Sequence, residues 1–455
     1  MPRVLRPWEM GMGMRYLLPG LGSVAAVGLF AFATTYGATA DAADNAPSRT
    51  ETFQQLELFA DVLARVRNDY VVDVDDSEMI ADAINGMLQS LDPHSSYIAP
   101  EDYMDLQQNT SGEYGGLGME VTSEDGVVKV IAPIDGSPAK EIGIKAGDYI
   151  TEVNGESILG LSLNEAVDMM RGKPGEPISI TVVRMDEDPI TYDLVREIIK
   201  RQPAKAEVKD GVGYIRISSF NEKTADSLEK SVKDLKKQFG GRIPGVVLDL
   251  RGNPGGLLDQ SIRVSSAFLD GGEVVSTRGR AADDTERYNA QRGELLKNVP
   301  LVVLVDGASA SASEIVAGAV QDRGRGLVVG RKTFGKGSVQ SVIPLRGGRD
   351  GALRLTTQRY YTPAGTSIQG TGITPDILVA AAPDDGRTSR RLRESNLPNS
   401  IRNEAFEAME DGESEELVID YPPEDYEVEQ DYQLQRAIAI LKDGSYNTKL
   451  AEARP

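Results

Sequence analysis

The chain has 455 residues, with seventy carboxylates against forty-nine Lys and Arg, one histidine and no cysteine. That acidic balance argues against nucleic-acid binding, which needs a basic surface. The lack of cysteine, with His94 alone, excludes a zinc site built on His and Cys and any disulfide.

Residues 1–43 read as an export signal or an N-terminal membrane anchor. Arg3, Arg6 and Arg15 precede an apolar stretch from Tyr16 to Ala33, and Ala38-Thr39-Ala40 offers a cleavage site. Either way the body is expected outside the cytoplasm, periplasmic or anchored facing the periplasm, with the arginines left behind. What remains, about 410 residues, is enough for two or three domains.

A helical region is expected over 44–111. Phe53, Leu56, Phe59, Leu63, Val66 and Tyr70 form one stripe, and Ile80, Ala83, Ile84, Met87, Leu88 and Leu91 a second. Such a hairpin suits packing or a dimerisation arm. His94, in Pro93-His94-Ser95-Ser96, reads as structural, so a Ser-His-Asp triad is not expected.

Residues 112–199 change to short alternating runs with turn glycines. Gly116-Leu117-Gly118-Met119 resembles the carboxylate-binding loop of PDZ domains, and Gly143–Ile150 and Val153-Asn154-Gly155 resemble further PDZ segments. The resemblance implies that Leu117, Gly118 and Met119 present backbone N–H groups to a peptide's terminal carboxylate. Ser162 and Glu165 form a capping box for a helix whose apolar face (Leu163, Ala166, Val167, Met170) would wall a side-chain pocket.

From 200 to 380 the pattern is α/β. Strands are expected at Val212–Ile217, Gly245–Leu250, Leu301–Val305, Leu327–Gly330 and Leu353–Tyr361, with helices over Asn221–Phe239 and Glu314–Arg323. Asp306–Ile315 joins a buried strand to a helix through small residues, so a serine there lies beside free N–H donors suited to an oxyanion. Lys336 is the candidate base. Its neighbours are Phe334, two glycines and Val339, with no carboxylate between Asp322 and Asp350. A lysine base must be neutral, a shift of roughly three units or about 4 kcal/mol, which desolvation can supply. In a strand, Lys336, Ser338 and Gln340 would face one way, letting Gln340 hold the amine without protonating it.

Two other motifs are set aside. Gly330–Lys336 matches the start of a P-loop, but Gly337 stands where Ser or Thr binds magnesium, and a strand follows instead of a helix. Ser227-Leu228-Glu229-Lys230 matches Ser-x-x-Lys but lies on a charged amphipathic helix without its companion motifs.

Ser309-Ala310-Ser311-Ala312-Ser313-Glu314-Ile315 with Phe334-Gly335-Lys336-Gly337-Ser338-Val339-Gln340 resembles the carboxyl-terminal processing (tail-specific) serine proteases, over about residues 53–377 and again near the C-terminus. The resemblance implies that Ser311 is the nucleophile, Lys336 its base and Gln340 the third member. It also implies oxyanion donors at Gly255 (Gly256 a close second) and Ala312, with no metal or other cofactor. Ser309 and Ser313 would be bystanders, with Ser313 a possible helix cap. The implied fold is α/β: a ClpP/crotonase-like protease core with an inserted β-rich PDZ domain and an N-terminal helical segment. The implied partners are protein or peptide C-termini, a second copy of the chain through the N-terminal helices, and an unidentified adaptor.

Residues 381–455 form an acidic extension ending in a helix. Between Glu404 and Asp431 there are thirteen acids and no base, which reads as a solvated, self-repelling insertion. The expected function is an exported serine endopeptidase acting from protein C-termini. A catalytically inactive PDZ scaffold and a lysine-activated amidase or esterase are the alternatives.

Overall fold

The computed structural model describes residues 49–454 apart from 125, 135, 185–186, 201, 282, 384–392, 404–417, 424 and 428–429. The expected export segment and most of the acidic stretch lie outside the described residues.

The chain divides into a first unit ending at Val74 and a second over Asp75–Pro455. In the first, one helix spans Arg49–Asp69 and buries none of its residues; Phe53, Leu56, Phe59, Val62 and Val66 are all exposed. The second opens with helix Asp76–Gln89, whose first turn is capped by the Asp75 side chain accepting from the Glu78 N–H at 2.9 Å. Helix Pro100–Ser111 falls within the helical region expected over 44–111, without an apolar stripe of its own, and begins at proline, whose missing N–H costs nothing at a helix start.

Strands Glu113–Gly116 and Glu197–Lys200 pair antiparallel and bracket the β-rich module. Its sheet runs, edge to edge, through Met119–Glu124, Val127–Pro133, Tyr149–Val153, Pro177–Val183 and Ile190–Val195. Helix Leu163–Met170 starts at the expected Ser162–Glu165 capping box.

The core is built on a six-stranded sheet. Ala204–Lys209 and Val212–Ile217 pair antiparallel, and Val246–Asp249, Leu301–Val305, Leu327–Gly330 and Ile377–Leu378 follow in parallel. Period-two alternation sends the strand side chains into two separate cores. Ile215, Leu248, Val303 and Val328 pack with helices Thr224–Gln238, Leu258–Ser266 and Ala312–Asp322. Tyr214, Val247, Val302, Leu304 and Val329 face the other way, onto the C-terminal helices Tyr432–Lys442 and Tyr446–Glu452. Coverage of both faces is why these strands read as unbroken apolar runs. A second sheet joins Ser96–Ile98, Glu273–Arg278, Thr285–Asn289, Ser338–Pro344 and Ala352–Tyr361.

Candidate active site

Asp249 pairs with Leu304 across two parallel strands, so the turns leaving those strands emerge side by side at their carboxyl ends. The turns are fastened together by the Asp306 side chain and the Asn253 backbone carbonyl. Asp306 Oδ1 accepts from the N–H groups of Gly252, Ala308 and Ser309, each at 3.0 Å. Asn253 donates from Nδ2 to the Ile217 carbonyl at 2.9 Å, while its own carbonyl accepts from the Ala310 N–H and the Ser313 hydroxyl, both at 3.0 Å.

Ser311 sits at the cap position of helix Ala312–Asp322 with φ 54° and ψ −113°. A non-glycine residue in such backbone costs of order 1–3 kcal/mol and persists where its surroundings fix it. Here the Ser311 N–H donates to Glu314 Oε2 at 2.8 Å. Ser311, not Ser313, therefore occupies the cap position; Ser313 lies inside the helix with its hydroxyl turned to Asn253. Ser309 is buried, its hydroxyl donating to the Leu250 carbonyl at 2.9 Å.

Glu314 is fully buried and accepts four hydrogen bonds from two segments. Beyond Ser311, they come from the Thr333 hydroxyl (2.5 Å) and the N–H groups of Gly335 (2.7 Å) and Lys336 (2.9 Å). Burial pushes its carboxyl up to about 7, while the four donors pull the other way. A protonated carboxyl would point its own hydrogen at donors, so the ionised form is the one that ties the serine turn to the lysine turn.

Lys336 is largely buried, and burial holds its ammonium below the usual lysine range. The charges of Glu394, Asp92 and Glu314 oppose that shift, and Arg354 adds to it. The carboxylate-free surroundings expected from the local sequence are thus corrected by distant segments. Glu394 is fully buried; its oxygens meet His94 Nε2 at 2.8 and 3.0 Å and accept from Gln369 Nε2 at 2.9 Å. His94 is accounted for by that contact.

The shared strand face expected for Lys336 and Gln340 is not formed. The strand starts at Ser338, after the lysine, and its pairing register shifts between Val339 and Gln340. Gln340 Nε2 donates to Ser338 Oγ at 2.9 Å and Thr356 Oγ1 at 3.3 Å. Among the described residues no hydrogen bond joins Lys336 Nζ to Ser311 Oγ or to Gln340.

Gly255 lies against the serine turn: a Cβ there would fall 2.7 Å from the Ala310 oxygen and 2.9 Å from both the Ala312 nitrogen and the Ser311 Cβ. Its φ of 101° also suits glycine alone. Its own N–H, however, donates to Asn253 Oδ1 at 2.9 Å. The N–H groups of Gly256 and Ala312 make no hydrogen bond among the described residues. A cleft of about 710 Å³ opens at this turn, lined by Gly255, Gly256, Leu257 and Phe220 and by Tyr103 and Leu106 of helix Pro100–Ser111.

In the β-rich module the Leu117 carbonyl accepts from the Ala139 N–H at 2.9 Å, and the Gly118 carbonyl from the Ile134 N–H at 2.8 Å and Ser137 Oγ at 2.7 Å. Their own N–H groups have no partner among the described residues. Met119 begins the edge strand, whose free side can accept a further strand. At Gly118 (φ 74°) a Cβ would lie 2.3 Å from that of Ser137, so only glycine fits.

Glu314, Asp306, Asn253 and Glu394 did not emerge from the sequence as working parts. Glu314 carried one visible signal, a lone charge at the start of an otherwise apolar helix; Glu394, eighty residues further on, carried none.

Residues 211–379 match peptidase family S41, and residues 129–184 match the PDZ domain. The protein is a serine-type peptidase with a PDZ module. Residues 23–102 match the N-terminal domain of the activating protease CtpB. Over 330 residues the chain is 53% identical to a carboxy-terminal-processing protease of Bartonella bacilliformis, covering 72% of this chain and 76% of that one. Over 322 residues it is 36% identical to the carboxy-terminal processing protease CtpA of Bacillus subtilis, covering 70% and 68%. The chain belongs to the carboxy-terminal processing proteases. The solved photosystem II D1 C-terminal processing protease is similar at 29% identity, covering 76% of this chain and 99% of that one, with a TM-score of 0.42.

Replacing Glu314 by Gln turns an acceptor into a donor at the join between Ser311 and Lys336. Losing one charge-assisted hydrogen bond is worth about 10- to 100-fold in rate. The expected result is a kcat lowered by that factor with tail-peptide affinity unchanged; unchanged kcat would remove Glu314 from the site's support.

Proposed function

We propose that this peptidase takes protein C-termini on its PDZ loop and cleaves them by a serine–lysine mechanism. The observation that carries the reading is the strained Ser311, packed against Gly255, followed by the unbonded N–H of Ala312 and tied through Glu314 to the lysine turn. The substrate's terminal carboxylate docks on the N–H groups of Leu117–Met119, and its last residues add a strand along Met119–Glu124. The chain upstream lies in the cleft beside Gly255 and Leu257, with a peptide carbonyl over Ser311.

Neutral Lys336 takes the Ser311 proton as the hydroxyl attacks. The developing oxyanion is held by Ala312 and, because the Gly255 N–H is already engaged, by Gly256 in place of Gly255. Each such donor is worth about 10²–10³-fold. The lysine ammonium then protonates the leaving amine, and water releases the acyl group with the lysine again as base. Catalytic hydrogen bonds often tighten only when substrate is bound, so this mechanism does not require a standing Lys336–Ser311 hydrogen bond. Gln340, bonded to Ser338 and Thr356, braces the strand that follows the lysine turn.

Two further parts of the reading concern where the protein works. The arginine-flanked apolar segment of residues 1–43 supports export, which cell fractionation would test. The exposed apolar stripe on helix Arg49–Asp69 supports pairing with a second copy. Light scattering should give a dimer or larger assembly that Leu56→Asp with Phe59→Asp reduces to monomer. A monomeric wild type would end that part.

Casein and tailed-peptide digestion should fall on the order of 10⁴-fold or more in Ser311→Ala, and about 10²–10⁴-fold in Lys336→Ala. Since only the neutral amine works, the rate should climb with pH and level off below the value of a free lysine; the climb includes the ionisation of Glu314 near 7. Retained proteolysis in Lys336→Ala at neutral pH would exclude the mechanism. Amidating a substrate's C-terminus should weaken its binding to Ser311→Ala at least about tenfold, the charge-assisted contact being lost. Equal affinity would exclude carboxylate docking.

A further inference from the structure

The Gly252–Leu257 turn leaves the sheet directly after Arg251, and that arginine is gripped from both sides. Toward the sheet, Arg251 Nε donates to Asp249 Oδ1 at 3.0 Å and one terminal nitrogen to Asp249 Oδ2 at 2.7 Å. Asp249 is fully buried and also accepts from the Tyr214 hydroxyl at 2.8 Å and from Arg216 at 3.2 Å. Away from the sheet, the two terminal nitrogens of Arg251 reach Asp431 Oδ1 at 2.7 Å and Oδ2 at 2.8 Å, and one also reaches Gln433 Oε1 at 3.2 Å.

Asp431 is the cap of helix Tyr432–Lys442, accepting from the Leu434 N–H at 3.2 Å, with a left-handed backbone (φ 53°) that Asp and Asn tolerate. Gln433 is buried and donates to the Val379 carbonyl at 2.8 Å. The planar guanidinium is thus fixed as a fork between a carboxylate of the sheet and one of the C-terminal helix. One residue on, the Gly252 N–H is held by Asp306, and then Asn253 holds Gly255 and Ala310.

We infer that Asp431 is a positioning residue of the peptidase site: through Arg251 it sets the turn that aims the Gly256 N–H at the oxyanion. This rests on reading Gly256 as one of the two donors. The helix that follows the acidic stretch therefore does more than cover one face of the sheet. With Asp431 neutralised, Arg251 keeps Asp249 and the neutral Gln433 but loses its second carboxylate, and the turn gains freedom where catalysis needs a fixed donor. Asp431 touches no substrate; its effect belongs in kcat.

The test uses the full chain with Asp431→Asn, which keeps an Asn cap and tolerates the left-handed backbone but removes the charge facing Arg251. The expected result is a kcat on tailed peptides lowered about 5- to 30-fold, less than the full worth of a charge-assisted contact because Asp431 acts through Arg251. KM and peptide affinity in the Ser311→Ala background should stay within twofold, and the Gly252, Gly255 and Gly256 amides should exchange faster with solvent. Unchanged exchange in the turn, or a rise in KM alone, would overturn the inference. Faster exchange with intact kcat would also overturn it, by taking the oxyanion donor away from this turn. If wild type and Ser311→Ala hydrolyse peptides equally, the peptidase mechanism fails instead, and the exchange measurement still reads the coupling. Should Asp431→Asn melt well below wild type, Arg251→Lys, which leaves the helix cap intact, replaces it. Lowered kcat with faster turn exchange then sustains the inference, and unchanged values overturn it.

Discussion

One buried carboxylate holds the catalytic parts in register. Glu314 accepts from the Ser311 backbone, the Thr333 hydroxyl and the backbones of Gly335 and Lys336, so a helix start and a strand approach belonging to different sheets share one anion. Burying a charge is costly unless hydrogen bonds replace its hydration, and four donors do so here. The strain at Ser311 is sustained by the same contact, since its N–H is pinned in the conformation that a free serine would leave.

Around that anion, the parallel sheet supplies proximity and hydrogen bonds supply precision. Neighbouring strands place the Gly252–Leu257 and Asp306–Ser311 turns side by side, and Asp306 and Asn253 then lace one to the other. The fit is close enough that a single methyl at Gly255 would collide with three atoms of the serine turn. Backbone N–H groups left over from this lacing, at Ala312 and Gly256, need no reorganisation to meet developing charge, which is the property an oxyanion site requires.

The acidic C-terminal region divides by structure. Asp420 accepts from Arg436 at 2.6 Å and from the Tyr432 hydroxyl at 2.7 Å, and Asp431 clasps Arg251. These two acids are structural partners, where composition alone suggested a wholly solvated insertion. Repulsion among thirteen acids is relieved wherever a distant arginine reaches one of them, and no local count of charges registers such an arginine.

The sequence by itself determined the α/β core, the strand runs, the Ser162 capping box, the PDZ-like loop and the spacing of the serine and lysine motifs. Each of these is a local property: apolar periodicity, glycine placement, or residues a few positions apart. Burial of both sheet faces was also legible, as unbroken runs such as Leu301–Val305. Tertiary structure alone decided the rest. It settled which glycine amide stays unbonded, because Asn253 takes that of Gly255, and it shifted the strand register that would have aligned Gln340 with Lys336. It also brought Glu394 and Asp92 close enough for their charges to reach a lysine whose own neighbourhood in the chain holds no acid. Hydrogen bonds and charges act over a few ångströms of space regardless of separation along the chain, so contacts spanning tens to hundreds of residues leave no periodicity in the sequence to be read.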